Sequence, residues 1–158
     1  MKSFALQRGT WVAVCDGQKA LLFENSGDHV QPKLRVIEAS AQENPPTHEQ
    51  GTSPPGRTFS GAHGRHAAVE ESDYHKEAER QFLRAFAAKL DAQIRERHPR
   101  SLILVSPAKA LGMIRPELAP ATKAILIAEL AHDYVKLPSY EIEMRLKDLR
   151  GEFSGARH

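Results

Sequence analysis

The sequence predicts an α/β protein: a mixed β-sheet of about five strands with one long helix and two or three shorter helices packed on it. Three observations carry that expectation. The opening residues read as short strands separated by Asp16-Gly17 and Asn25-Ser26-Gly27-Asp28, both turn signals. Ala78, Phe82, Phe86, Leu90 and Ile94 recur every four residues, which is one stripe on a helix. Ser101 to Ser106 (SLILVS) is a continuous apolar run, as expected of a central strand buried on both faces.

Thr10 to Cys15 reads as the first strand, and the Asp16-Gly17 turn hands it to a partner at Ala20 to Asn25. After the second turn, Lys33 to Ala39 is a third strand. Its Leu34, Val36 and Glu38 share one face, and Arg35 and Ile37 the other. A meander of three antiparallel strands results. A polar segment then runs from Ala39 to Ser72 without apolar periodicity. It holds Pro45, Pro46, Pro54 and Pro55, and also Gly51, Gly56, Gly61 and Gly64. Loops this long inside a compact domain are functional or disordered.

Ser72 or Asp73 is the expected N-cap of the long helix, with Glu70, Glu71 and Asp73 at the positive end of its dipole. The helix runs to about His98, where Pro99 stops it. Beyond the SLILVS strand, Ser106 looks like an N-cap with Pro107 at the first helical position, opening a short helix over Ala108 to Ile114. Pro116 and Pro120 then interrupt the chain. Residues 124–135 combine helix-forming Ala and Glu with strand-favouring Ile125 and Ile127. They divide into a strand at Ala124 to Leu130 and a turn at Ala131 to Lys136. A last helix covers Pro138 to Leu149. Residues 1–150 thus read as one domain with a polar loop at 39–72, and 151–158 as a flexible tail.

Composition narrows the function classes. With 41% hydrophobic and 27% charged residues, the chain is an ordinary soluble protein. A net charge of +2 is too small to announce nucleic-acid binding by itself, although a local basic surface is compatible with it. A single cysteine, Cys15, forbids an internal disulfide and favours a reducing compartment. It lies in an apolar run, where a buried core role is expected. The N-terminus lacks a secretory apolar stretch, and no run approaches the ~20 apolar residues of a membrane span, so a cytoplasmic protein is expected. No Gly-x-Gly-x-x-Gly follows a strand, and neither a phosphate-loop lysine nor a Gly-x-Ser-x-Gly elbow is present.

Four places can carry chemistry. The first is Ser60 to His66 with Arg57. Gly61 and Gly64 let backbone approach a ligand. Arg57 and Arg65 can bind phosphate. His63 and His66 can move a proton near neutral pH. The competing reading is a solvated loop. The second is a metal site at His63, His66 and His75 with Asp73 or Glu70 nearby, but these spacings match no closed metal framework. The third is the Ser106-Pro107 junction at the carboxyl end of a buried strand, against a plain N-cap. The fourth is the basic series Lys76, Arg80, Arg84, Arg95 and Arg97, against ordinary helix pairs with Glu77, Glu79, Asp91 and Glu96.

Several of these stretches resemble the bacterial host attachment proteins. Trp11-Val12-Ala13-Val14-Cys15-Asp16-Gly17-Gln18-Lys19-Ala20 is similar to the family's opening strand, turn and strand. Phe59 to His66, the helix with Phe82 and Leu90, Leu102 to Arg115 and Val135-Lys136-Leu137 also resemble it. The likeness covers nearly the whole chain. That family in turn resembles the middle domain of archaeal and eukaryotic peptide-chain release factors. There, a loop between a strand and a long helix carries Gly-Gly-Gln into the peptidyl-transferase centre and helps water attack the peptidyl-tRNA ester.

In this sequence Gly64-Arg65-His66 stands at that place, and no Gly-Gly-Gln is present. The resemblance implies a translation-associated module. Arg57, Gly61, His63, Gly64 and Arg65 would meet ribosome or tRNA, and His66 would be the candidate to position water for ester hydrolysis. No cofactor or metal is implied. Two alternatives stay open: a host-attachment protein acting through protein or cell-surface interactions, and a small metal-dependent enzyme using the histidines.

Overall fold

A computed structural model of the chain describes residues 6–43 and 61–156, the side chains of 61–71 and 149–156 excepted. The elements are β1 (Trp11–Cys15), β2 (Lys19–Asn25), β3 (Leu34–Ala41), α1 (Gly61–Arg97), β4 (Leu102–Ser106), α2 (Ala108–Ile114), a 3₁₀ turn (Arg115–Glu117), α3 (Pro120–Ala124), β5 (Leu126–Ala131) and α4 (Ser139–Ala156). One five-stranded sheet has the order β3-β2-β1-β4-β5. The β3-β2-β1 half is antiparallel, the predicted meander, and β4 and β5 extend it in parallel with β1. The expected mixed α/β sheet is thus the observed fold.

Both faces of the sheet are covered. Trp11, Ala13, Leu22, Leu102 and Leu104 pack against Leu83, Phe86, Leu90 and Ile94 of α1 and against Leu111 and Ile114 of α2. Val12, Val14, Phe23, Ile103 and Val105 pack on the other face against Tyr134, Val135 and the Ile142 and Leu146 of α4. Alternation along β1 and β4 therefore feeds two cores, which is why every residue of both strands is buried.

Asp16 closes the first hairpin. Its Oδ1 accepts the amides of Gln18 and Lys19, each at 2.8 Å, and its own N–H donates to the Lys19 carbonyl at 2.9 Å. Gly17 has no Cβ for a packing reason. A Cβ there would lie 2.6 Å from Cγ of Glu79, so α1 rests directly on this turn.

Several expectations need correction. The polar segment ends earlier than supposed: β3 continues to Ala41, and α1 begins at Gly61, not at Ser72 or Asp73. Alanines and glutamates in 61–72 favour helix by propensity. The apolar stripe belongs to the part of the helix that packs on the sheet, and from Ser72 onward the first buried residue of α1 is Leu83. The stripe itself is Leu83, Phe86, Ala87, Leu90 and Ile94, while Ala78 and Phe82 are half-buried.

In β3 a bulge breaks the alternation. Ile37 and Glu38 consequently lie on the α1 side together, Ile37 against that core and Glu38 accepting from Gln93 at 3.2 Å. Ser106 is not an N-cap. Pro107 holds that place with an extended ψ of 153°, and Ser106 stays in the strand, fully buried. β5 occupies Leu126–Ala131, because Pro120–Ala124 forms a short helix first. α4 is helical through Ala156, beyond the expected Leu149. At the other end of α1, His98 adopts φ 53° and returns its N–H to Ile94 at 2.8 Å before Pro99, so the expected stop holds.

Candidate functional site: the free end of the long helix and the adjoining sheet end

Gly61, His63, Gly64, Arg65 and His66 lie in the first two turns of α1 and not in a loop. Arg57 lies outside the described residues. With 37 residues, α1 is about 55 Å long. Its second half is anchored in the core, whereas every described side chain from Ser72 to Gln81 is exposed or half-buried. Glu79 marks the level of the sheet, because it touches the β1–β2 turn at Gly17. Gly61 to Ala78 therefore continues the helix by about 27 Å past that contact. The helix backbone is what positions the predicted Gly/Arg/His cluster.

The cations of α1 divide. Arg80 pairs with Glu77 at 3.4 Å and Arg84 with Glu117 at 3.4 Å. Asp91, expected to balance them, instead accepts Ala119 N at 3.1 Å and Thr122 Oγ1 at 2.5 Å, which ties α3 to α1. Lys76, Arg95 and Arg97 are exposed and form no ion pair among the described residues. Tyr74 is 61% exposed and its ring lies 6.0 Å from that of His75. No three His, Cys, Asp or Glu side chains gather for a metal among the described residues, and no helix there is long and apolar enough to cross a membrane.

Beside the helix, β1 and β4 end together, and a cleft of about 300 Å³ opens over their carboxyl ends. Asp16, Glu79, Lys109 and Lys136 line it. Under it lie Cys15 and Ser106, each the last residue of its strand. The Ser106 Oγ is buried beside the Cys15 thiol. Burial pushes the Cys15 thiol up to about 12, against a smaller opposing pull from the Ser106 hydroxyl. The predicted core role of Cys15 holds at 1% exposure.

The folded thiol holds its proton far above the unfolded value of 9.0. Its contribution to stability is therefore complete below pH 9 and is lost as pH rises from 9 towards 12. Native protein at pH 8 should leave Cys15 unlabelled by a thiol reagent, with full labelling after denaturation. Rapid native labelling would contradict this burial.

Sequence reading did not single out the cleft. Asp16 and Ser106-Pro107 were visible as turn and junction, but Glu79, Lys109 and Lys136 come from α1, α2 and the segment before α4. The parallel pairing of β1 with β4 brings them together, and no local spacing signals that. A larger groove of about 630 Å³ runs between β3 and α1, with Phe82 and Phe86 in its lining and Tyr74 and Lys89 among its polar residues.

This arrangement is an α/β domain, a mixed five-stranded sheet with helices on both faces. An archaeal translation termination factor, aRF1, has a similar structure (TM-score 0.50, 10% identity). The likeness covers 96% of this chain and 40% of that factor, so the chain spans well under half the factor's length. The sequence model of the family described as protein required for attachment to host cells matches residues 11–146, and the chain belongs to that family. No curated protein matches it.

Proposed function

We propose that the protein is a translation-associated binding module that meets ribosome or tRNA through the projecting end of α1. The observation that carries this reading is the match of almost the whole chain to the fold of a translation termination factor, with α1 continuing past its contact with the β1–β2 turn. In this reading Arg65 and the exposed Lys76 contact phosphates, His63 and His66 contact bases, and the glycines at 61 and 64 allow close approach. Arg57 contributes from the preceding segment. Catalysis is the weaker extension. His66 would position water at a peptidyl-tRNA ester, although the imidazole differs in shape and protonation from the glutamine of Gly-Gly-Gln.

Salt-dependent binding to purified tRNA tests the interaction. Log affinity should fall linearly with log salt, with a slope of about −0.7 to −0.9 per phosphate contact. Arg65→Ala should reduce that slope by about one contact. A slope near zero, or one unaltered in the Arg65→Ala and Lys76→Ala variants, would overturn it.

The family description favours a second reading, in which the protein supports attachment to host cells through protein or cell-surface interactions. Recovery of intact protein outside cells, without cytoplasmic markers, would favour it.

A further inference from the structure

We infer that the cleft over the carboxyl ends of β1 and β4 is a ribonucleotide site, where Lys109 and Lys136 take the phosphate and Asp16 and Glu79 take the ribose hydroxyls. Four formal charges surround about 300 Å³, and no acid–base pair among them forms a salt bridge. Charged side chains that only solvate a surface have no reason to converge on a concave space. When two ammonium groups and two carboxylates do so without neutralising one another in contact, a ligand can meet each in turn.

The roles come from chemistry and placement. Lys109 and Lys136 are exposed on the rim, and a lysine binds phosphate as a mobile point charge. Glu79 and Asp16 are half-buried and held in place: Glu79 by its packing on Gly17, Asp16 by two backbone amides on its Oδ1. That leaves Asp16 Oδ2 and both Glu79 oxygens as acceptors. A fixed carboxylate at a strand's carboxyl end suits a vicinal diol, since each hydroxyl donates to one oxygen. A phosphate joined to a vicinal diol is a ribose 5′-phosphate unit. The volume lies at the small end of ligand sites, enough for one nucleotide.

The unit can come from a free nucleotide or from an RNA chain end. The site stands apart from the ribosome reading, since a chain that ignores ribosomes can still bind nucleotide here. Calorimetric titration of the full chain with adenosine 5′-monophosphate, its 2′,3′-dideoxy analogue and a short oligoribonucleotide with a free terminal diol tests it. Adenosine monophosphate should bind at one site. The dideoxy analogue should bind on the order of tenfold or more weakly, because it strands the carboxylates. Lys109→Ala and Lys136→Ala should each weaken binding on the order of tenfold, with unchanged melting as the control.

Glu79→Gln should narrow the gap between nucleotide and dideoxy analogue, which a merely structural role would leave intact. An oligoribonucleotide that binds more tightly than the mononucleotide assigns the site to RNA ends. The reverse assigns it to free nucleotide. Equal affinity for the dideoxy analogue, or equal binding by the double lysine variant, would overturn the proposal.

Discussion

Phe86→Ala is expected to destabilise the protein by about 3–5 kcal/mol. Phe86 is 1% exposed and sits in the middle of the α1 stripe, in the core that α1 and α2 form on the sheet. Truncation removes buried ring area and leaves a cavity between a helix and a sheet that β1 and β4 hold rigid from both sides, so little collapse can offset it. The melting temperature should fall on the order of 10 °C for a chain of this length. Arg95→Ala, on the exposed side of the same helix, should stay within about 0.5 kcal/mol. Urea unfolding of both variants gives the comparison. A Phe86→Ala loss below about 1 kcal/mol would mean that α1 does not pack on the sheet through this stripe.

Asn25→Ala should cost on the order of 3 kcal/mol although it removes little apolar area. Asn25 is 0% exposed at the end of β2. Its Nδ2 donates to the carbonyls of Leu6 at 3.0 Å and Gln7 at 3.1 Å, and its Oδ1 accepts Gly27 N at 3.0 Å and Lys33 N at 2.8 Å. One amide thus fastens the segment before β1 and the β2–β3 turn to the same point. Alanine leaves four backbone groups without that partner, and each buried unsatisfied group costs about 1–3 kcal/mol less whatever water recovers. Asn25→Asp would keep the two acceptor bonds and set a charge against two carbonyls, so it should not rescue stability at pH 7. Full stability in either variant would contradict the described network.

Where sequence spoke to this structure, it did so through local signals. Asp16-Gly17, the apolar run Trp11 to Cys15 and the run Leu102 to Ser106 are each complete within a few residues, and each formed the expected element. The start of α1 was illegible because residues 61–72 carry no apolar periodicity, which is the signal the helix was read from, although their backbone is helical. The bulge at Ile37 and Glu38 was hidden because strand alternation presumes an unbroken ladder. Ser106 next to Pro107 has the composition of a cap, but the hydroxyl points into the buried strand end. The Gly/Arg/His residues are visible by type, and from Gly61 their backbone is helix rather than loop. The Lys109, Lys136, Asp16 and Glu79 cleft depends on two crossovers, β3 to β4 and β4 to β5, which no single window of sequence contains.

The central claim is that the projecting end of α1 engages the translation apparatus. Co-sedimentation of the tagged protein with ribosomes from a lysate, at low and then raised salt, tests it most directly. The account predicts ribosome-bound protein at low salt, release as salt rises, and loss of binding in Arg65→Ala and His66→Ala variants that melt like the parent. Protein that stays at the top of the gradient at every salt would contradict it.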